Sequence, residues 1–141
     1  MTQLPTEIDT ATLVVRPWTD PVVEAIGYEP TSEYVELFWL GTLGPTATWL
    51  LRRLDAGLRA FPDGYELDLV ETASALGLSF TPGTSGPFTR SLGRLVLFGL
   101  AQPLARGIAV RRKIPPLSQR QLARLPHHLR RLHDAGQPPA A

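Results

Sequence analysis

Apolar and polar positions along this chain follow two periods, and glycine and proline mark where one gives way to the other. Leu50, Leu51, Leu54 and Leu58 recur at helical spacing, so a helix opening with Pro45 at its first position and running to Arg59 buries one face. Phe61-Pro-Asp-Gly64 ends it with turn chemistry. Upstream, Thr31 or Ser32 opens a helix over 33–40 whose early acids suit its positive end, and Gly41 and Gly44 are expected to break it. Downstream, Tyr65-Glu-Leu-Asp-Leu69 alternates as a short strand, and 69–76 reads as a short helix with Val70, Ala73 and Leu76 on one side, ended by Gly77. Residues 79–86 form a loop rich in Thr, Pro, Ser and Gly. A helix then follows over 87–98 with Phe88, Leu92, Leu95 and Val96 inward, capped by Gly99.

Segments 100–104 and 108–114 read as the arms of a hairpin meeting at Ala105-Arg106-Gly107, with Pro103 admissible only on an edge strand. Ser118 and Gln121 make a capping box for a last helix that kinks or restarts at Pro126 and frays at Gly136. In the first 31 residues, 11–15 predicts a short strand stopped by Pro17. Asp20-Pro21 predicts the cap and first position of a short helix ending at Gly27. The division is therefore a partly ordered arm (1–31), one domain (32–134) and a flexible tail (135–141). The class is mainly α with a small β-hairpin, an α+β fold.

Composition adds limits. With 141 residues, 43% of them hydrophobic, the chain supports one domain with a proper core. It has no cysteine, which removes disulfides and thiolate metal sites and fits a reducing compartment. The polar, acidic start does not resemble a signal peptide, and the apolar stretch 38–51 is interrupted by glycine and proline, so a cytoplasmic protein without a membrane span is expected. Charge changes the picture most. Residues 1–75 hold 12 acids against 4 arginines, a net −8, whereas 76–141 hold 10 cations against Asp134 alone, a net +9. Such segregation points to a polyanion or an acidic partner; a dipolar molecule, or a dimer joining acidic to basic halves, is the alternative.

The segment Leu69-Val-Glu-Thr-Ala-Ser-Ala-Leu-Gly-Leu78, followed by Arg90-Ser-Leu-Gly-Arg-Leu-Val-Leu-Phe-Gly-Leu100, resembles the helix-turn-helix and first wing strand of the winged-helix superfamily. The resemblance spans residues 46–134 with helix and wing order intact. It implies a winged helix-turn-helix fold, a recognition helix at 87–98 and a basic wing at 100–114. One departure is the inter-helix turn, which occupies the eight residues 79–86 in place of three or four and either contacts phosphates or tilts the second helix.

On this reading Thr89, Arg90, Gly93 and Arg94 face outward and suit a major groove, and Ser85 and Gly86 set amides at the helix start for a phosphate. Arg106, Arg111, Arg112 and Lys113 place the wing on an adjacent groove or backbone. The alternative for Arg90 and Arg94 is pairing with N-terminal acids, and for 111–113 it is protection of an edge strand. Trp39, Trp49 and Phe38 are expected in the core or a dimer contact; Trp18 could anchor a partner.

The function implied is a transcriptional regulator binding double-stranded DNA, as a homodimer. The alternative is a winged-helix interaction module in replication, division or transcription machinery that grips a protein through its N-terminal half. A third possibility is an effector-responsive regulator with a small ligand between arm and core. No enzyme is expected: there is no phosphate-loop lysine, no cysteine nucleophile and no Gly-x-Ser-x-Gly elbow. His127, His128 and His133 lack the spacing and the fourth ligand of a metal site, and no cofactor is implied.

Overall fold

A computed structural model describes residues 4–136. Strands β1 (Thr12–Trp18), β2 (Tyr65–Asp68), β3 (Ala101–Leu104) and β4 (Gly107–Arg111) form one mixed sheet in the order β2-β1-β4-β3. β1 runs antiparallel to β2 and parallel to β4. The strand expected at 11–15 thus continues through Pro17 and occupies the interior of the sheet. Proline is tolerated because β2 pairs only with Thr12–Val15, so Arg16-Pro17-Trp18 has a neighbour on one side alone. Pro103 falls on β3, the edge strand. Where β1 meets β4, a side chain on Gly107 would collide with the Val14 carbonyl, so only glycine admits this register.

The first helix, α1 (Pro21–Ile26), starts as its sequence predicts, with the Asp20 carboxylate accepting from the Val22 and Val23 amides. Residues 33–43 are continuously helical: a π-helical segment, Val35–Trp39, passes directly into α2 (Leu40–Leu43). Gly41 does not interrupt it. Gly41 faces solvent in helical geometry, and the break comes at Gly44, where φ is 87°. The π segment buries Val35, Phe38 and Trp39.

Helix α3 (Pro45–Ala60) buries Ala47, Leu50, Leu51, Leu54 and Leu58 against the sheet and α5 (Pro87–Leu97). Helix α4 (Leu69–Ala75) is capped by Asp68, whose carboxylate accepts from the Glu71 amide at 2.9 Å. Its inner residues are Leu69 and Ala73, with Leu76 half-buried; Val70 faces solvent, contrary to the expected stripe. The turn after α4 is a paired-bond C-cap: Gly77 has φ 77°, its amide donates to Ser74 and the Leu78 amide donates to Ala73. Gly99 and Leu100 repeat the device after α5, bonding to Val96 and Leu95. Helices α6 (Gln119–Ala123) and α7 (His127–Asp134) complete the chain, α6 with the reciprocal Ser118–Gln121 capping box.

A polar contact ties helix α7 to Tyr34, the residue that precedes the π segment. The Tyr34 hydroxyl lies 2.9 Å from His133 Nε2 and accepts from the Leu117 amide at 3.0 Å, while the Tyr34 ring stacks on Tyr28. The class is thus α+β with a four-stranded mixed sheet, richer in strand pairing than a hairpin alone. No helix among the described residues is long and apolar enough to cross a membrane.

Candidate nucleic-acid interface

Helix α5 buries Phe88, Leu92 and Leu95 completely or nearly so, which turns Arg90 and Arg94 outward. Thr89 does not join them. It is 7% exposed, and its buried hydroxyl has no hydrogen-bond partner among the described residues. The reason is its phase: Thr89 precedes Leu92 by three positions and Val96 by seven, and so flanks the inner stripe. Ser85 is exposed at the start of α5, beside Thr81 and Thr84 in a shallow hollow of about 150 Å3.

The two outward arginines differ. Arg90 is exposed and takes part in no ion pair among the described residues. Arg94 donates from Nε to the Leu43 carbonyl at 2.6 Å and from Nη2 to the Thr42 carbonyl at 2.7 Å, and its guanidinium lies 5.3 Å from the Phe98 ring centre. It thereby caps the last carbonyls of α2, where a cation is favoured, and fixes the α2–α3 corner against α5.

The cations of the hairpin are less available. The Arg111 guanidinium lies 3.7 Å over Trp18, donates to the Gly99 carbonyl at 2.7 Å and pairs with Asp20 at 3.2 Å. Lys113 pairs with Glu29 at 2.8 Å. Arg112 is half-buried with its Nε enclosed and unpartnered among the described residues. β4 lies between β1 and β3, so this run of cations does not guard an edge. Arg106 is exposed at the β3–β4 turn, but Glu7, Asp9 and Glu66 line the same hollow.

A different set of residues comes together around the start of α3. One hollow of about 320 Å3 is lined by Pro45, Thr46, Trp49, Arg53, Ala75 and Leu76. Another, of about 210 Å3, shares Pro45 and Thr46 and continues to Pro87, Arg90, Ser91 and Arg94. Neither has an acidic side chain in its lining among the described residues. Between them lies the N-terminus of a 16-residue helix whose cap, Gly44, has no side chain to satisfy the first-turn amides of Thr46 and Ala47. Three guanidinium groups and an indole 55% exposed therefore share one surface with the start of α3.

Trp49 and Arg53 are the members that sequence reasoning missed. Trp49 is not a core residue. It sits off the Leu50-Leu51-Leu54-Leu58 stripe, on the same helix face as Arg52 and Arg53, and Arg52 covers its ring at 5.2 Å. That phase is present in the sequence; of the two places expected for Trp49, the core or a dimer contact, its exposure excludes the first.

The ionisable groups with shifted equilibria lie elsewhere. The Arg111 hydrogen bond, assisted by the α1 amides, holds the Asp20 carboxyl below its ordinary value. Burial raises Tyr34. Burial, together with the nearby Asp55 charge, pushes the Tyr65 hydroxyl up to about 12. Burial also raises Asp55, which Arg59 only partly offsets. These groups support the fold and do not line the surface around α3. His127 and His128 are exposed, and His133 is engaged with Tyr34.

No family model, no curated protein and no solved structure matches this chain.

Proposed function

We propose that this protein binds double-stranded DNA as a winged-helix transcriptional regulator, presenting the surface shared by the first halves of α3 and α5. The observation that carries this reading is the lining of the two adjoining hollows, without an acidic side chain among the described residues, with Arg53, Arg90, Arg94 and Trp49 around the start of α3. Arginine forks and helix amides suit phosphate oxygens, and an exposed indole offers a stacking or sugar contact. The order α3-β2-α4-α5-β3-β4 supports the same reading, with the helix-turn-helix pair at α4 and α5 and the wing at β3 and β4. Contact with about four phosphates predicts a log-log salt slope of roughly −3.6.

Fluorescence anisotropy of a labelled random duplex across a salt series tests this, with wild type and Arg53→Ala/Arg90→Ala compared. A slope near that value, with clear weakening in the variant, supports the interface. Absence of binding at low salt removes the nucleic-acid role.

One observation favours a protein partner as a second reading. Val22 and Ile26, one turn apart on α1, are 71% and 52% exposed in the acid-rich segment. Retention of a partner by wild type, lost in Val22→Ser/Ile26→Ser with duplex binding absent in both, would favour that reading.

A further inference from the structure

A hollow of about 540 Å3, larger than either of those around α3, is lined by the N-terminal segment (4–14), by Glu66 of β2 and by the β3–β4 turn. Its apolar lining comes from Leu4, Ile8, Leu13, Val14 and Leu104. Ile8 and Leu13 are buried in the core, so this lining is continuous with the interior. Its charged lining comes from four exposed side chains: Glu7, Asp9, Glu66 and Arg106. None of the four enters an ion pair among the described residues, although both signs occur around one hollow.

We propose that this hollow binds a zwitterionic aliphatic ligand of the class of an aliphatic amino acid or a short peptide of such residues. The three kinds of lining each meet one part of such a molecule. Arg106 presents a planar fork to a carboxylate, which it can take in two parallel hydrogen bonds. Glu7, Asp9 and Glu66 present acceptors to an ammonium. The aliphatic lining takes the hydrocarbon body, and the volume falls in the range of small-molecule sites, roughly 300–1,000 Å3. A purely cationic ligand would leave Arg106 repelled, and a purely anionic one would face three carboxylates.

The ligand would touch the N-terminal segment and the β3–β4 turn at once, and so would tie Ile8 and its neighbours to Arg106 and Gly107. The proposal stands whether or not the surface around α3 binds DNA, because it uses none of those residues.

The test is a ¹H–¹⁵N titration of the full chain with leucyl-leucine, and separately with leucinamide, which keeps the ammonium and lacks the carboxylate. Saturable shifts are expected for leucyl-leucine at residues 4–14, 66 and 104–107, complete by about 10 mM, as for ordinary millimolar affinity. Arg106→Gln should weaken leucyl-leucine about tenfold and leave leucinamide unchanged; Glu66→Gln should weaken both. Both substituted side chains are exposed, and the spectra themselves report whether each variant keeps its fold. Absence of saturable shifts at those residues in wild type would overturn the proposal. Equal affinity of leucyl-leucine for wild type and Arg106→Gln would overturn it as well.

Discussion

Two groups of cations occupy different parts of this molecule. Arg111-Arg112-Lys113, at the end of β4, forms the densest basic run of the hairpin; Arg53 and Arg90 are exposed on the outer faces of α3 and α5. Arg111 is sandwiched between Trp18, Asp20 and the Gly99 carbonyl, and Lys113 reaches Glu29. Arg53 and Arg90 line hollows with no acidic side chain among the described residues. The cause is topological. β1 enters the sheet beside β4 and carries the acid-rich N-terminal segment with it, so part of the charge segregation is neutralised inside the fold. A run of cations can therefore mark a seam between segments, while exposed arginines on helix faces, in no ion pair among the described residues, are left for a partner.

The comparison can be broken most forcefully at the seam. Gly107→Ala forces a methyl group into the Val14 carbonyl, and should cost roughly 3 kcal/mol in urea unfolding. An unchanged midpoint would mean that β1 is not seated against β4. Arg111→Ala comes next. It removes a guanidinium engaged by an aromatic face, a carbonyl and a carboxylate, and should cost about 2 kcal/mol of stability. Its effect on duplex affinity should be no more than the loss of one distant charge produces.

Arg90→Ala should do the converse, lowering duplex affinity about tenfold at low salt with stability kept within roughly 0.5 kcal/mol. Arg53→Ala should behave alike. If Arg111→Ala weakened duplex binding as much as Arg90→Ala, the distinction between engaged and available cations would collapse.

Much of the local architecture was legible because local chemistry determines it. Asp20-Pro21, Ser118 with Gln121, and the glycines 77 and 99 specify caps through bonds that reach five residues at most. The leucine stripe of α3 was readable for the same reason. The central place of β1 was not, since pairing Val15 with both Tyr65 and Ile108 joins segments far apart in sequence. Of the candidate interface, Arg90 and Arg94 followed from the inward phase of Phe88, Leu92 and Leu95. The engagement of Arg94 by α2, and the arrival of Trp49 and Arg53 beside it, depend on how α3 packs on α5, which no single helix encodes. At 111–113 the charge density is legible, but the Trp18, Asp20 and Glu29 that lie opposite are not.

The smallest expected effect concerns an acid on the inner side of α3. Asp55 is 2% exposed; Arg59 Nε lies 3.2 Å from its Oδ2, which has no hydrogen bond among the described residues. Burial raises its folded-state pKa above the unfolded value near 3.9. The sign follows directly. Between those two values the folded chain binds the extra proton, so Asp55 favours folding at low pH, and that contribution is lost as pH rises through the folded pKa. Asp55→Asn removes the buried charge and should stabilise the protein by about 1 kcal/mol at pH 7. The gain over wild type should shrink as pH falls towards about 4 and the native carboxyl takes up its proton. Urea midpoints of both proteins across that range check it, with Arg90→Ala as the exposed reference whose difference from wild type should stay flat. A gain for Asp55→Asn that persisted undiminished at pH 4 would assign its effect to packing. A loss at pH 7 would show that the ion pair with Arg59 outweighs burial, making this cation, like Arg111, one that the fold requires.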